Sequence, residues 1–358
     1  MTAGRAMRRV FTAALFGMVG TAQAQTAADL VRCRDVVDAN ERLRCYDALA
    51  RELAPPPAPP AATESAKPAP LPREDPRSAL TPTGRADDGR SLLSQRWEIE
   101  REDKYGTFKF TYYRPNYILP VLWSDDANRL PESPTRGATP TEIPYRDLEA
   151  AFQLSFKMKL VEEAFGTPSD IWVGYTQQSY WQVFNSELSR PFRETDFEPE
   201  VMWVVPTDYS VLGLRGRLLS FGLAHQSNGR AEPLSRSWNR VYAMIGLERE
   251  GFVLQAKVWR RLNESGDDDD NPDIVDYVGR AEFLGFYQWS GGSSTTLRLR
   301  TTFKRDPGWG SAQFDWRFAF TRQLQGYFQV FSGYGESLID YNFRKTSVGL
   351  GISVGNWY

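Results

Sequence analysis

The run Ser347–Tyr358, SVGLGISVGNWY, puts Val348, Leu350, Ile352 and Val354 on one parity and Gly349, Gly351, Ser353 and Gly355 on the other. A period of two belongs to a pleated strand, whose side chains alternate between faces; a helix has no such period. The pattern recurs. FDWRFAFTR sets Phe314, Trp316, Phe318 and Phe320 against Asp315, Arg317, Ala319 and Thr321, and TTLRLRTTFK sets Leu297, Leu299 and Phe303 against Arg298, Arg300 and Lys304. About twelve such segments lie between Thr107 and Tyr358. Many run to about ten residues, the length a tilted strand needs to cross a bilayer.

A two-sheet sandwich would show the same alternation, with one face in the core and the other in water. Strand number and edges favour the barrel. An even number of antiparallel strands closes without an edge, which lipid demands because nothing there pairs loose backbone groups. The expected fold is therefore all-β: a twelve-stranded antiparallel transmembrane β-barrel, preceded by a short N-terminal extension. The 43 basic and 45 acidic residues nearly cancel, so charge gives no case for a nucleic-acid partner.

The extension has its own signals. MTAGRAMRRVFTAALFGMVGTAQAQ carries a basic start, an apolar run too short to span, and small residues Ala22 and Ala24, the layout of a cleaved secretory leader over residues 1–24. Residues 25–54 read as a short helical segment with Cys33 and Cys45. In one continuous helix that separation covers about 18 Å, beyond disulfide reach. A bridge therefore needs the chain to fold back near Asp38, Ala39 and Asn40, and export would permit one; two free or differently paired thiols are the other reading. Residues 55–95 form a Pro- and Ala-rich linker, and residues 96–358 the barrel. The run GDDDDNPD, Gly266–Asp273, reads as a solvated outer loop, because it lacks the alternating ligands and turn glycine of an EF-hand.

One strand breaks the outer pattern. In FGLAHQSNG, Leu219, Phe221, Leu223, His225 and Ser227 share a parity, so the chain's one histidine and a serine sit on the apolar face. Asn239 continues the apolar row Val241, Ala243, Ile245 and Leu247 of the next strand, and suitable register would bring it beside His225. Polar groups facing hydrocarbon are costly unless paired, so three in line suggest a site or a subunit contact. A serine becomes nucleophilic with a neighbouring base, and that base needs a third group to fix its tautomer. Asparagine orients an imidazole but brings no charge. Gln177 shares a row with Ile171, Val173, Tyr175 and Trp181; it reads either as a bond between subunits or as a residue at headgroup depth.

The segments His225-Gln-Ser227-Asn-Gly229-Arg230, Pro233-Leu-Ser235-Arg-Ser-Trp238-Asn239-Arg and SYWQVFNSELSRPFRETDFEPE, Ser179–Glu200, resemble outer membrane phospholipase A, a calcium-dependent barrel lipase family of Gram-negative bacteria. The resemblance extends weakly over most of the chain after Arg96; the cysteine segment and linker fall outside it. It implies an outward-facing site with Ser227 as nucleophile, His225 as general base and Asn239 as its orienter. It further implies Ca2+ held by the Arg230 carbonyl, the Ser235 hydroxyl and a carbonyl at Ser189 from a second subunit. The expected activity is hydrolysis of phospholipid acyl esters in the outer membrane by a homodimer, with Gln177 at its interface and the N-terminal extension in the periplasm. A porin-like or structural barrel without catalysis is the alternative.

Overall fold

The computed structural model describes residues 31–53, 90–264, 266, 269–304, 309–320 and 324–355. The leader, 1–24, and nearly all of the linker, 55–95, lie outside them. The chain divides into two units, Met1–Leu71 and Pro72–Tyr358.

In the first unit a helical stretch ends at Arg34 and a second helix, α1, covers Ala39–Leu53. Asp38 turns the chain between them: its Oδ1 accepts the N–H groups of Asn40 and Glu41, both at 2.9 Å, a side-chain cap on otherwise unpaired donors. The resulting hairpin brings Cys33 and Cys45 into a disulfide with Cα atoms 5.5 Å apart. The reading as two free thiols is thereby excluded.

Among the described residues of the second unit, twelve strands make the wall: β1 (Asn116–Ser124), β2 (Leu148–Ala164), β3 (Ser169–Trp181), β4 (Phe192–Val211), β5 (Leu214–Ser227), β6 (Ser237–Arg249), β7 (Phe252–Leu262), β8 (Ala281–Gln288), β9 (Ser294–Thr301), β10 (Gly310–Ala319), β11 (Leu324–Tyr334) and β12 (Arg344–Val354). Each pairs antiparallel with its neighbours in sequence, and β12 returns to β1. The wall is closed, as the alternation predicts, and among the described residues the short strand Phe110–Tyr112 adds to it, on β2.

The two ends differ. At one, β4–β5 and β6–β7 are joined by the two-residue turns Leu212-Gly213 and Glu250-Gly251, whose four residues all have positive φ, the backbone of tight hairpins. At the other end lie the loops 125–147, 182–191, 228–236, 263–280 and 335–343. In outer-membrane barrels short turns face the periplasm and long loops face outward.

Outside, large apolar side chains stand in solvent-accessible rows, with Leu223 and Leu350 each 56% exposed; so extensive an apolar surface requires a nonaqueous environment. Inside, the lumen is filled. Helix α2 (Leu92–Trp97) enters at the short-turn end, where the Leu93 N–H donates to Glu248 (3.0 Å) and Trp97 packs edge-on to Trp172. This helix starts within the stretch assigned to the linker by composition; six residues are too few to show a helical period. Above it Glu198 binds Arg114 and Arg240, and Asp340 binds Arg193 and Lys345. Two voids among these groups measure about 40 Å³ each, so these levels of the lumen are packed rather than hollow.

One loop differs from expectation. Asp269, Asp270 and Asn271, read as solvated, are buried. Arg261 pairs with Asp269, and Asn271 accepts the Ser237 N–H at 3.0 Å. Tertiary partners on β6 and β7 draw in charges that composition alone assigns to water.

Candidate active site

Strands β5 and β6 carry the three polar residues because their register pairs His225 with Asn239 and Ser227 with Ser237. His225 is exposed and Ser227 and Asn239 are partly so, whereas Ala224, Trp238 and Arg240 are buried and Gln226 is partly buried. All three candidates therefore point out of the wall. Behind them, the Trp238 indole donates to Gln226 at 2.9 Å and Arg240 pairs with Glu198 at 2.8 Å, fixing the inward faces of the two strands.

His225 Nδ1 lies 2.9 Å from Asn239 Oδ1. Which way the amide points follows from its other end, where Asn239 Nδ2 donates to Glu264 Oε1 at 2.8 Å. A carboxylate accepts but does not donate, so Oδ1 is left to face the ring. Nδ1 then carries the proton, and Nε2 is the acceptor. Ser227 shares the outward face two residues away, and no hydrogen bond joins it to the ring among the described residues. Such contacts are often long without substrate and tighten in the complex.

The loop 228–236 is held by Asn228, which is buried. Its Nδ2 donates to Glu194 Oε1 and the Leu234 carbonyl, both at 2.8 Å, and its Oδ1 accepts the Arg236 N–H at 2.9 Å. Asn228 thereby fixes the segment that carries Arg230 and Ser235. The Arg230 guanidinium donates to the Arg193 carbonyl at 2.6 Å, and no described residue donates to the Arg230 carbonyl. The Ser235 hydroxyl donates to Asp270 Oδ2 at 2.6 Å. Asp270 Oδ1 accepts from Arg136, whose guanidinium also meets Glu232. A carbonyl, a hydroxyl and a nearby carboxylate form an all-oxygen set of the kind a hard divalent cation takes, so these residues fit calcium by donor chemistry.

Ser189 lies in a different loop, 182–191, with φ of 58°; among the described residues no hydrogen bond joins it to Arg230 or Ser235. Gln177 faces outward and is partly buried. Its amide accepts from the Tyr175 hydroxyl (3.2 Å) and donates to Ser179 Oγ (3.3 Å). In register, Gln177 and Ser227 both oppose Phe197 of β4, so glutamine and serine stand at one level, two strands apart.

Sequence reasoning missed Asn228, Asp270 and Glu264. Asn228 sits inside the quoted His225–Arg230 motif, but its inward parity hid it. Glu264 follows the end of β7 and has no strand pattern to mark it.

The chain's sequence and fold have clear counterparts. The sequence model of the family described as Phospholipase A1 matches residues 93–354. The putative phospholipase A1 of Neisseria meningitidis serogroup B is 38% identical over 73% of this chain and 69% of its own length, and the phospholipase A1 of Klebsiella pneumoniae 36% identical over 72% and 86%. Among solved structures, the outer membrane phospholipase A of Escherichia coli aligns with a TM-score of 0.61 and 32% identity, over 70% of this chain and 95% of that one. The Salmonella typhi outer membrane phospholipase dimer with bound calcium aligns at 0.64 and 32%, over 75% and 98%. A closed twelve-stranded wall, an apolar exterior and these relatives agree: this chain belongs to the phospholipase A1 family, the ester-hydrolysing outer membrane phospholipases A of Gram-negative bacteria.

Proposed function

We propose that the chain hydrolyses phospholipid acyl esters through Ser227, His225 and Asn239, with calcium and a second copy completing the site. The observation that carries this reading is the 2.9 Å contact of His225 Nδ1 with Asn239 Oδ1 on the same outward face as Ser227. With Nδ1 protonated, Nε2 takes the Ser227 proton as Oγ attacks the ester carbonyl, and returns it to the departing lysolipid alkoxide. The acyl group stays on Ser227. Water, deprotonated by His225, then releases the fatty acid and restores the serine.

Calcium would be held by the Arg230 carbonyl, the Ser235 hydroxyl and the Ser189 carbonyl of the partner subunit, and when bound it supplies positive charge to the developing oxyanion. The Salmonella typhi neighbour, a dimer with bound calcium, supports both elements. Gln177, level with Ser227, is suited to bond across that interface.

The test is fatty-acid release from phosphatidylcholine in detergent. Ser227→Ala should lower kcat at least about 10³-fold, and a chelator should abolish release reversibly. Full activity in Ser227→Ala would remove the serine from the mechanism. Steady ion conductance without hydrolysis would instead favour the porin-like reading.

A further inference from the structure

Asn239 leaves an imidazolium without a counter-charge, and Glu264 stands where one is needed. Leu262 is the last residue of β7 paired in register with Asn239, so the chain leaves the strand beside the amide. Two residues on, with the same outward parity, Glu264 Oε1 accepts from Asn239 Nδ2 at 2.8 Å. Among the described residues this is its one hydrogen bond. The neighbouring Arg261 is engaged elsewhere, with Asp269 and the Pro272 carbonyl. A residue serving only to tie down the loop would gain more from Arg261 than from a neutral amide.

We propose that Glu264 is a positioning residue that extends the relay to Ser227–His225–Asn239–Glu264: its carboxylate fixes the Asn239 amide and places, one group further out, the negative charge that the asparagine lacks. This rests on the reading of the site given above. The amide cannot turn over without setting its oxygen against the carboxylate, so the histidine tautomer is held from two residues away. Charge-assisted hydrogen bonds are roughly twice as strong as neutral ones and polarise the bonds chained to them. Burial, the largest influence, raises the Glu264 carboxyl above its ordinary range; Asp269 and Asp270 add to this, while Arg261 and the Asn239 hydrogen bond oppose it. The contribution is present once the carboxyl is ionised and fades as pH falls through that raised value.

The test uses the full-length protein without a histidine tag, in detergent at saturating calcium, with phosphatidylcholine as substrate. Glu264→Gln keeps an acceptor for the amide but removes the charge, and should lower kcat on the order of tenfold with KM little changed. Glu264→Asp should recover part of the loss. Because His225 is the chain's one histidine, ¹⁵N NMR of histidine-labelled protein follows it alone, and it should show the Nδ1-protonated tautomer in the wild type and a mixture of tautomers in Glu264→Gln, whose amide no longer fixes that of Asn239. Wild-type kcat in Glu264→Gln, or a loss of kcat with the histidine tautomer unchanged, would overturn the inference, provided Ser227→Ala is inactive. An active Ser227→Ala would instead overturn the reading beneath it.

Discussion

Replacing Asn239 by aspartate, which would supply the charge of a serine-hydrolase triad, here sets a second carboxylate against Glu264, whose Oε1 lies 2.8 Å from the amide nitrogen. Two carboxylates so close cannot both ionise readily. Asn239→Asp is therefore expected to lose activity near neutral pH, and the double variant Asn239→Asp/Glu264→Gln to recover it, read as kcat for fatty-acid release at several pH values. Equal kcat for the single and double variants would mean that the two side chains do not interact. Asn239→Ala removes the orienting oxygen altogether and should cost roughly 10–100-fold in kcat.

At the level of strands and turns, the hairpin residue Gly251 has φ of 77°, and a Cβ there would sit 3.3 Å from the Gln288 carbonyl. Gly251→Val should destabilise the barrel by about 1–2 kcal/mol, measured as a lower midpoint of urea unfolding in detergent with activity retained below it. The same scale explains what could be read beforehand. His225, Ser227 and Gln177 declared themselves because a strand with period two makes any polar residue on the apolar parity conspicuous, and Asn239 because it continued the neighbouring row. Pairing partners were less legible: parity says which face a residue takes, but register, which joins His225 to Asn239, depends on the whole hairpin. Glu264 and Asp270 lie in a loop whose course is fixed by Arg261, Ser237 and Tyr341. Such contacts are remote in sequence and leave no periodic trace. The sequence reads that loop as solvated, whereas the fold buries Asp269, Asp270 and Asn271.

Over the whole molecule, rigidity comes from the filled lumen. Asp340 is fully buried and holds both Arg193 (2.8 Å) and Lys345 (2.9 Å), tying β4 and β12 together across the interior. Asp340→Ala leaves Arg193 with Glu149 and Lys345 with Glu336 but removes the carboxylate the two cations share, and should cost roughly 1.5–3 kcal/mol, visible as a lowered unfolding midpoint. The proposed catalytic groups need such a frame because they stand on a wall, with no enclosing cleft to fix them. That sideways placement also governs how substrate arrives. On the proposed mechanism a lipid meets Ser227 by drifting within its own leaflet, never leaving oil for water, so the quantity that sets the rate is its crowding in the plane. Diluting phosphatidylcholine with inert detergent at constant total substrate should slow turnover in proportion to its mole fraction, whereas an enzyme fed from the aqueous phase would be unaffected.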